Sequence, residues 1–323
     1  RISAGAHHHH RLPLLAQHQS TRSLRSSHWK FSVTSSSLPT SGMASAAAAA
    51  PFLQFSYSGN HPDQFCRVHL PPPDCVEPVF PTAVIVHGGF WKNKWTIDNA
   101  AHTSLAPALA SSARPYVAVE VEYRRRDHDG GGYPGSIQDV VDFLGFLPTL
   151  VNEQQLPVDL TRLVLIGHSA GGQIALRAGE IAARSPEPIA CPALIAAVAP
   201  VTDLERAFHE HLSDEGDAAE LFMKCRPEDE RSVAQYQDAS PLHHLPNLVP
   251  LILAVGTQDT DVPMKMVQDF AAAVDAAGGA PSELLLFDGA DHYTPMDAST
   301  EEWKALRERI DSRLLGPSAS GSQ

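Results

Sequence analysis

The sequence predicts an α/β fold, with a mainly parallel central sheet covered by helices on both faces. Three observations carry this expectation. Short apolar, β-rich runs alternate with helical stretches of about 12–17 residues, the pattern of successive βα units. Those runs are apolar almost throughout, as strands buried on both faces must be. A chain of 323 residues, 43% of them hydrophobic, is also long enough to bury a substantial core.

The elements follow in order. Residues 1–50 lack Asp and Glu, carry Arg1, Arg11, Arg22, Arg25 and Lys30, and show no hydrophobic periodicity. They read as a disordered leader, either a transit peptide or sequence upstream of a start at Met43. The four histidines at 7–10 belong to that tract and would bind metal only incidentally. The folded domain spans 51–315. Its first strand is "TAVIVH" at 82–87, followed by a glycine turn and a helical stretch, Ile97–Ser111. "YVAVEVEY" is the second strand; the Gly-rich loop "DHDGGGYPG" leads into the helix "SIQDVVDFLGFLPTL". "RLVLIG" with "AGGQIALRAGEIAAR" is the third pair, and "PALIAAVAP" the fourth strand. A polar region at about 202–247 is expected to form a small lid. "VPLILAVG", the helix "PMKMVQDFAAAVDAAGG", the strand "SELLLFDG" and the helix "EEWKALRERIDSRLL" close the domain, and 316–323 is a frayed tail.

Charge and cysteine usage exclude some functions. The net charge of −13 opposes nucleic-acid binding, because phosphates would be repelled. No apolar run reaches the roughly 18 residues of a membrane span. Cys66, Cys75, Cys191 and Cys225 lack metal-type spacing and read as thiols of a reducing, cytoplasmic setting; a plastid or mitochondrial address follows if residues 1–50 are a real transit peptide. A Cys66–Cys75 disulfide across "PPPD" is conceivable but not favoured.

The chemistry starts at "GHSAGG", Gly167–Gly172. Directly after "LVLIG" and before a helix, Gly167-His168-Ser169-Ala170-Gly171 fits G-x-S-x-G, a strained turn that lifts a serine hydroxyl above the sheet edge. Its neighbours must be small because strand and helix nearly collide there. Alone the pentapeptide is weak, with about 0.1 chance matches expected in such a chain. A phosphate-cradling turn would require G-K-[ST] or G-x-G-x-x-G, which this segment lacks.

Two further constellations add weight. "IVHGGFW", 85–91, follows the first strand, so backbone N–H groups of Gly88 and Gly89, with that of Ala170, are placed to form an oxyanion hole. "VGTQDTDVP" and "DGADHY" each follow a late strand, putting Asp259 and His292 at the same sheet edge as Ser169, in the chain order Ser…Asp…His. Asp261 and Asp288 compete with Asp259 by proximity, and Asp291 reads as a solvated loop charge. Phe90 and Trp91 line either the acyl site or the core. His168 reads as packing or as a substrate contact, and His87 as a brace for the oxyanion loop.

With these motifs in hand, the chain resembles the α/β-hydrolase fold and, within it, the esterase and kynurenine formamidase-like group, over roughly Phe65 to Leu315. The family's oxyanion segment matches His87–Trp91, its elbow Gly167–Gly171, its Tyr-Arg…Pro…Asp set Tyr123, Arg124, Pro134 and Asp139, its acid loop Gly256–Pro263, and its histidine loop Gly289–His292. Arg124 and Asp139 look like a structural pair.

The expectation is a serine hydrolase acting on a small-molecule short-acyl carboxylic ester or small amide, with N-formylkynurenine among the substrates that the resemblance suggests. Ser169 is the nucleophile, His292 the base and Asp259 its orienting acid, and no metal or organic cofactor is needed. A small prolyl-oligopeptidase-type peptidase shares the motifs, but about 80 residues before the first strand cannot supply the propeller such enzymes usually carry. A non-catalytic ligand receptor on this fold would typically have lost the serine or the histidine. Oligomeric state is not readable from the sequence.

Overall fold

The computed structural model describes residues 52–316; the expectations for the leader, for a start at Met43 and for the tail beyond Gly316 lie outside the described residues. Eight strands form one sheet: β1 (Leu53–Ser56), β2 (Phe65–His69), β3 (Phe80–Val86), β4 (Val117–Val121), β5 (Val158–His168), β6 (Leu194–Val198), β7 (Leu251–Gly256) and β8 (Ser282–Phe287). Their spatial order is β1-β2-β4-β3-β5-β6-β7-β8. Strands β3 to β8 run parallel to one another, while β2 joins β4 antiparallel and β1 joins β2 antiparallel at one edge.

The helices are α1 (Leu105–Ala110), α2 (Gly135–Gln154), α3 (Ala170–Arg184), α4 (Leu204–His209), α5 (Ala218–Met223), α6 (Glu230–Ala239), α7 (Met264–Ala277) and α8 (Glu301–Leu315). Alternate residues of each central strand feed different layers, as the two-residue pleat requires. Val84, Val86, Leu163, Leu165 and Leu253 join the core under α2, α3 and α7. Ala83, Ile85, Val164, Ile166 and Ile252 join a second core under α1 and α8. This is the α/β-hydrolase fold. Among the described residues no helix is long and apolar enough to cross a membrane.

Some expectations change in detail. The six parallel strands stand where the apolar runs are, but β1 and β2 were not anticipated. The helix expected over Ile97–Ser111 shrinks to Leu105–Ala110. The Asn99 side chain takes the Thr96 N–H and donates to the Lys94 carbonyl, and such local bonds compete with a helix ladder. The region 202–247 holds α4, α5, α6 and a 3-10 turn at Pro241–His244. Its Leu204, Leu212, Phe222 and Met223 are buried in the core shared with α2 and α3. All four cysteines are free thiols, and burial pushes Cys66 up to about 12.

Two buried carboxylates lie at β4, Glu120 within the strand and Glu122 just past its end. Glu120 bonds to His69 at 2.8 Å, whereas His102 lies 3.6 Å from it, beyond hydrogen-bond reach. Burial, with nearby His87, lowers His102 from 6.5 to about 3 against a smaller pull from Glu122. The folded state keeps His102 neutral while the unfolded chain would charge it. Stability should therefore fall as pH drops from about 6.5 toward 3. Urea midpoints between pH 4 and 6 should flatten in His102→Gln; an unchanged slope would contradict this account.

Candidate active site

Chain order reverses between β3 and β5, because β3 connects to β4 on one side and the chain then crosses to β5 on the other. Ligands bind in open α/β sheets at such switch points, beyond the carboxyl ends of the strands. His87, Gly88 and Gly89 follow β3 there, and Ser169 follows β5. Asp259 and His292 follow β7 and β8 at the same edge.

Ser169 is the N-cap of α3, with φ 55° and ψ −121°, a conformation that costs free energy for any side-chain-bearing residue. Its N–H donates to the Val198 carbonyl, and its carbonyl accepts from Gly172 and Gln173, so the turn is over-determined by its surroundings. A Cβ at Gly171 would strike the carbonyls of Val86 and His87, and this is the close approach that requires glycine. Ser169 is 1% exposed, and its Oγ has no hydrogen-bond partner among the described residues.

The Asp259 carboxylate accepts from His292 Nδ1 at 2.7 Å. Its other oxygen accepts the backbone N–H groups of Val262 (2.8 Å) and Asp261 (3.0 Å), which locks the carboxylate in place. Asp261, the competing acid, lies elsewhere: its Oδ2 is 3.9 Å from His292 Nε2 and accepts from the Tyr293 hydroxyl at 2.6 Å. Burial and then Asp261 push the Tyr293 phenol upward, so it remains a donor. Asp288 accepts from the Thr257 hydroxyl, and Asp291 caps Tyr293 and Thr294.

The loop His87–Trp91 is held from beneath. His87 lies between the Gly88 carbonyl (2.8 Å) and Glu122 (2.9 Å), and its own carbonyl accepts from Tyr123. Burial opposes ionisation of Glu122, but His87, Arg125 and the Ile97 N–H outweigh it and hold the carboxyl below its usual range. A Cβ on Gly88 would come within 2.9 Å of the Ser169 Cβ, so the loop abuts the serine. Ala170 is the first residue of α3, and its N–H has no intrahelical acceptor.

Gly88, Gly89, Phe90, His168, Ser169 and His292 share one cavity that opens to solvent. Lys92, Lys94, Trp95, Asp214, Asp261 and Tyr293 complete most of its wall. A second cavity, bounded by Leu176, Ile195, Leu251 and Phe270, lies near the opposite strand ends and contains none of these groups.

Trp91 is not among the cavity residues. It is 1% exposed, stacks on Phe222 and donates to Gln173, because left-handed φ values at Gly89, Phe90 and Trp91 turn the ring into the core. His168 is both a cavity residue and a support. Burial holds it well below the usual imidazole range, so its neutral ring donates from Nε2 to the His292 carbonyl at 2.9 Å. Asp139, fully buried, accepts from Arg124 and Gln64, and this pair is structural.

Sequence reasoning missed Glu122, Trp95 and Tyr293. Glu122 had a signal: a carboxylate inside the apolar run "VAVEVEY" needs a buried partner. One cluster has metal-type composition, His61, Asp63 and His128. There both Nδ1 atoms already accept backbone N–H groups, and Asp63 carries the Arg125 guanidinium, so the donors are engaged.

The chain is similar in fold to several solved structures. A truncated carbohydrate esterase from gut microbiota aligns with TM-score 0.66 and 14% identity, over 83% of this chain and 99% of that one. A thermophilic esterase from the Planctomycetes species Thermogutta terrifontis aligns with TM-score 0.61 and 19% identity, over 85% and 96%. A bifunctional GH43-CE protein from Bacteroides eggerthii aligns with TM-score 0.66 and 19% identity, over 83% of this chain; this chain spans only 38% of that protein. These neighbours sit with the esterase side of the resemblance and not with the kynurenine formamidase-like group. No curated protein matches the chain. The BD-FAE family model matches residues 68–274, from β2 through most of α7 and including the elbow and the acid loop. That is well over half of the sequence, and the chain belongs to the BD-FAE family.

Proposed function

We propose that this protein is a serine hydrolase that cleaves a short-acyl carboxylic ester through an acyl-enzyme. The observation that carries the proposal is the 2.7 Å bond from His292 Nδ1 to the fully buried Asp259 carboxylate, with the strained Ser169 and His292 lining the same cavity. Asp259 fixes the tautomer in which Nε2 is the free base. Nε2 takes the Ser169 proton as Oγ attacks the ester carbonyl. Negative charge on that oxygen is met by the Gly88, Gly89 and Ala170 N–H groups, which need no reorganisation. The C–O bond then breaks, His292 returns the proton to the departing alkoxide, and water repeats the sequence to free the acid. The elbow's Oγ makes no bond in the resting state, and such contacts often tighten only when substrate is bound.

The wall composition supports a small acyl group. Phe90, Trp95, Ala100 and Ala101 supply apolar surface, but Lys92, Lys94, Asp214 and Asp261 interrupt it. The segment 202–247, proposed as the lid, contributes only Asp214 to the cavity among the described residues, while its Leu204, Leu212, Phe222 and Met223 are buried in the core. Nothing in the wall favours an aryl formamide over an ester, and the likeness in fold to proteins named as esterases favours the ester.

A hydrocarbon tunnel would improve binding about fourfold per methylene, since each buried CH₂ contributes about 0.8 kcal/mol. Activity on aryl esters should instead peak at about two to four acyl carbons and fall beyond about eight. The measurement is kcat/KM across a chain-length series, combined with fluorophosphonate labelling of Ser169. A steady rise toward long chains would contradict the short-acyl reading, and failure to label would contradict the hydrolase reading.

A further inference from the structure

We propose that Asp261 forms the leaving-group wall of the site and makes the enzyme prefer esters of cationic alcohols over esters of anionic ones. The inference rests on the hydrolase reading above and adds its selectivity. His292 Nε2 is the atom that must face the departing oxygen, and Asp261 Oδ2 lies 3.9 Å from it. A group this near Nε2, on the cavity wall, stands beside the alcohol part of any ester attacked by Ser169.

The charge at this position is not cancelled. Asp261 Oδ2 accepts from the neutral Tyr293 hydroxyl, and Oδ1 has no hydrogen bond among the described residues. No Lys or Arg pairs with Asp261 or with Asp214, the other cavity acid, among the described residues. The two cavity lysines lie on the loop after Gly89. Lys92 is paired with Glu215, and Lys94 lies over the Trp95 ring at 5.4 Å. The Lys92 hydrogen bond first, then the Glu215 backbone N–H, with a smaller pull from Lys94, hold the Glu215 carboxyl below its usual range. His292 is flanked by the neutral His168 and by Tyr293. The leaving-group side therefore presents carboxylate and phenol, with an open acceptor for a cation and a repulsive charge for an anion.

Asp261 is one-quarter exposed, so solvent screens the effect to about fivefold in each direction. The test uses acetylcholine, phenyl acetate and acetylsalicylate as cationic, neutral and anionic acetate esters. Dividing each variant's kcat/KM by the native value, ester by ester, removes the differences in leaving-group reactivity. Asp261→Asn should lower acetylcholine relative to phenyl acetate by about fivefold and raise acetylsalicylate by about as much. The native preference should shrink as salt is raised. Tyr293→Phe removes only the donor and should keep the discrimination. If all three esters change in parallel in Asp261→Asn, or if Tyr293→Phe erases the discrimination as well, Asp261 only shapes the loop and the proposal fails. If the native chain turns over none of the three, the hydrolase reading fails and this inference with it.

Discussion

Ser169→Ala should lower kcat/KM on a short aryl ester by about 10³-fold or more while the thermal midpoint stays close to that of the native chain. The two outcomes separate because the hydroxyl is buried yet unbonded. Removing it costs the fold no hydrogen bond and little volume. The strained backbone is kept, since alanine meets the same steric limits as serine at φ 55°. What is lost is the only atom at the elbow that can form the acyl bond. His292→Ala should be comparably inactive, because each member of such a unit is nearly useless without the other. Fluorophosphonate labelling should disappear in the serine variant. Retained turnover in a preparation free of contaminating esterases would remove Ser169 from the mechanism.

Much of this architecture could be read in advance because burial on both faces writes long apolar runs. β3, β5, β6 and β7 are such runs, and glycine or proline punctuates them. The antiparallel edge could not be read so easily. "LQFS" and "FCRVH" are short, polar at alternate positions and joined to the rest of the sheet only through distant register, as in Cys66 with Val121. The placement of Ser169, Asp259 and His292 was legible for a different reason: each follows a strand end, and the parallel sheet brings those ends together. The cavity wall was not legible, because it depends on loop conformation. Trp91 and Trp95 are four residues apart on one loop, yet left-handed backbone at residues 89–91 sends the first into the core while the second reaches the cavity. The same limit applied to Asp261, two residues from Asp259 and on the other nitrogen of the same imidazole.

That pair of aspartates gives the second large effect. Asp259→Asn should reduce kcat/KM by about 10⁴, whereas Asp261→Asn should change it by far less and in a manner that depends on leaving-group charge. In the asparagine variant the side-chain oxygen would keep the Val262 and Asp261 N–H groups, which already hold that position. The amide NH₂ would then occupy the place of the oxygen that now accepts from Nδ1. An amide nitrogen can only donate, so it would force Nδ1 to accept and move the ring proton to Nε2. A protonated Nε2 cannot take the hydroxyl proton from Ser169. The packing survives and the chemistry does not, so folding stability should fall much less than the rate. Asp261 cannot produce this effect, since it does not touch Nδ1. The comparison is made on one neutral aryl acetate with both variants at the same pH. If Asp261→Asn is the inactive one, the orienting acid lies two residues further along the loop, and the 2.7 Å bond between Asp259 and His292 is structural rather than catalytic.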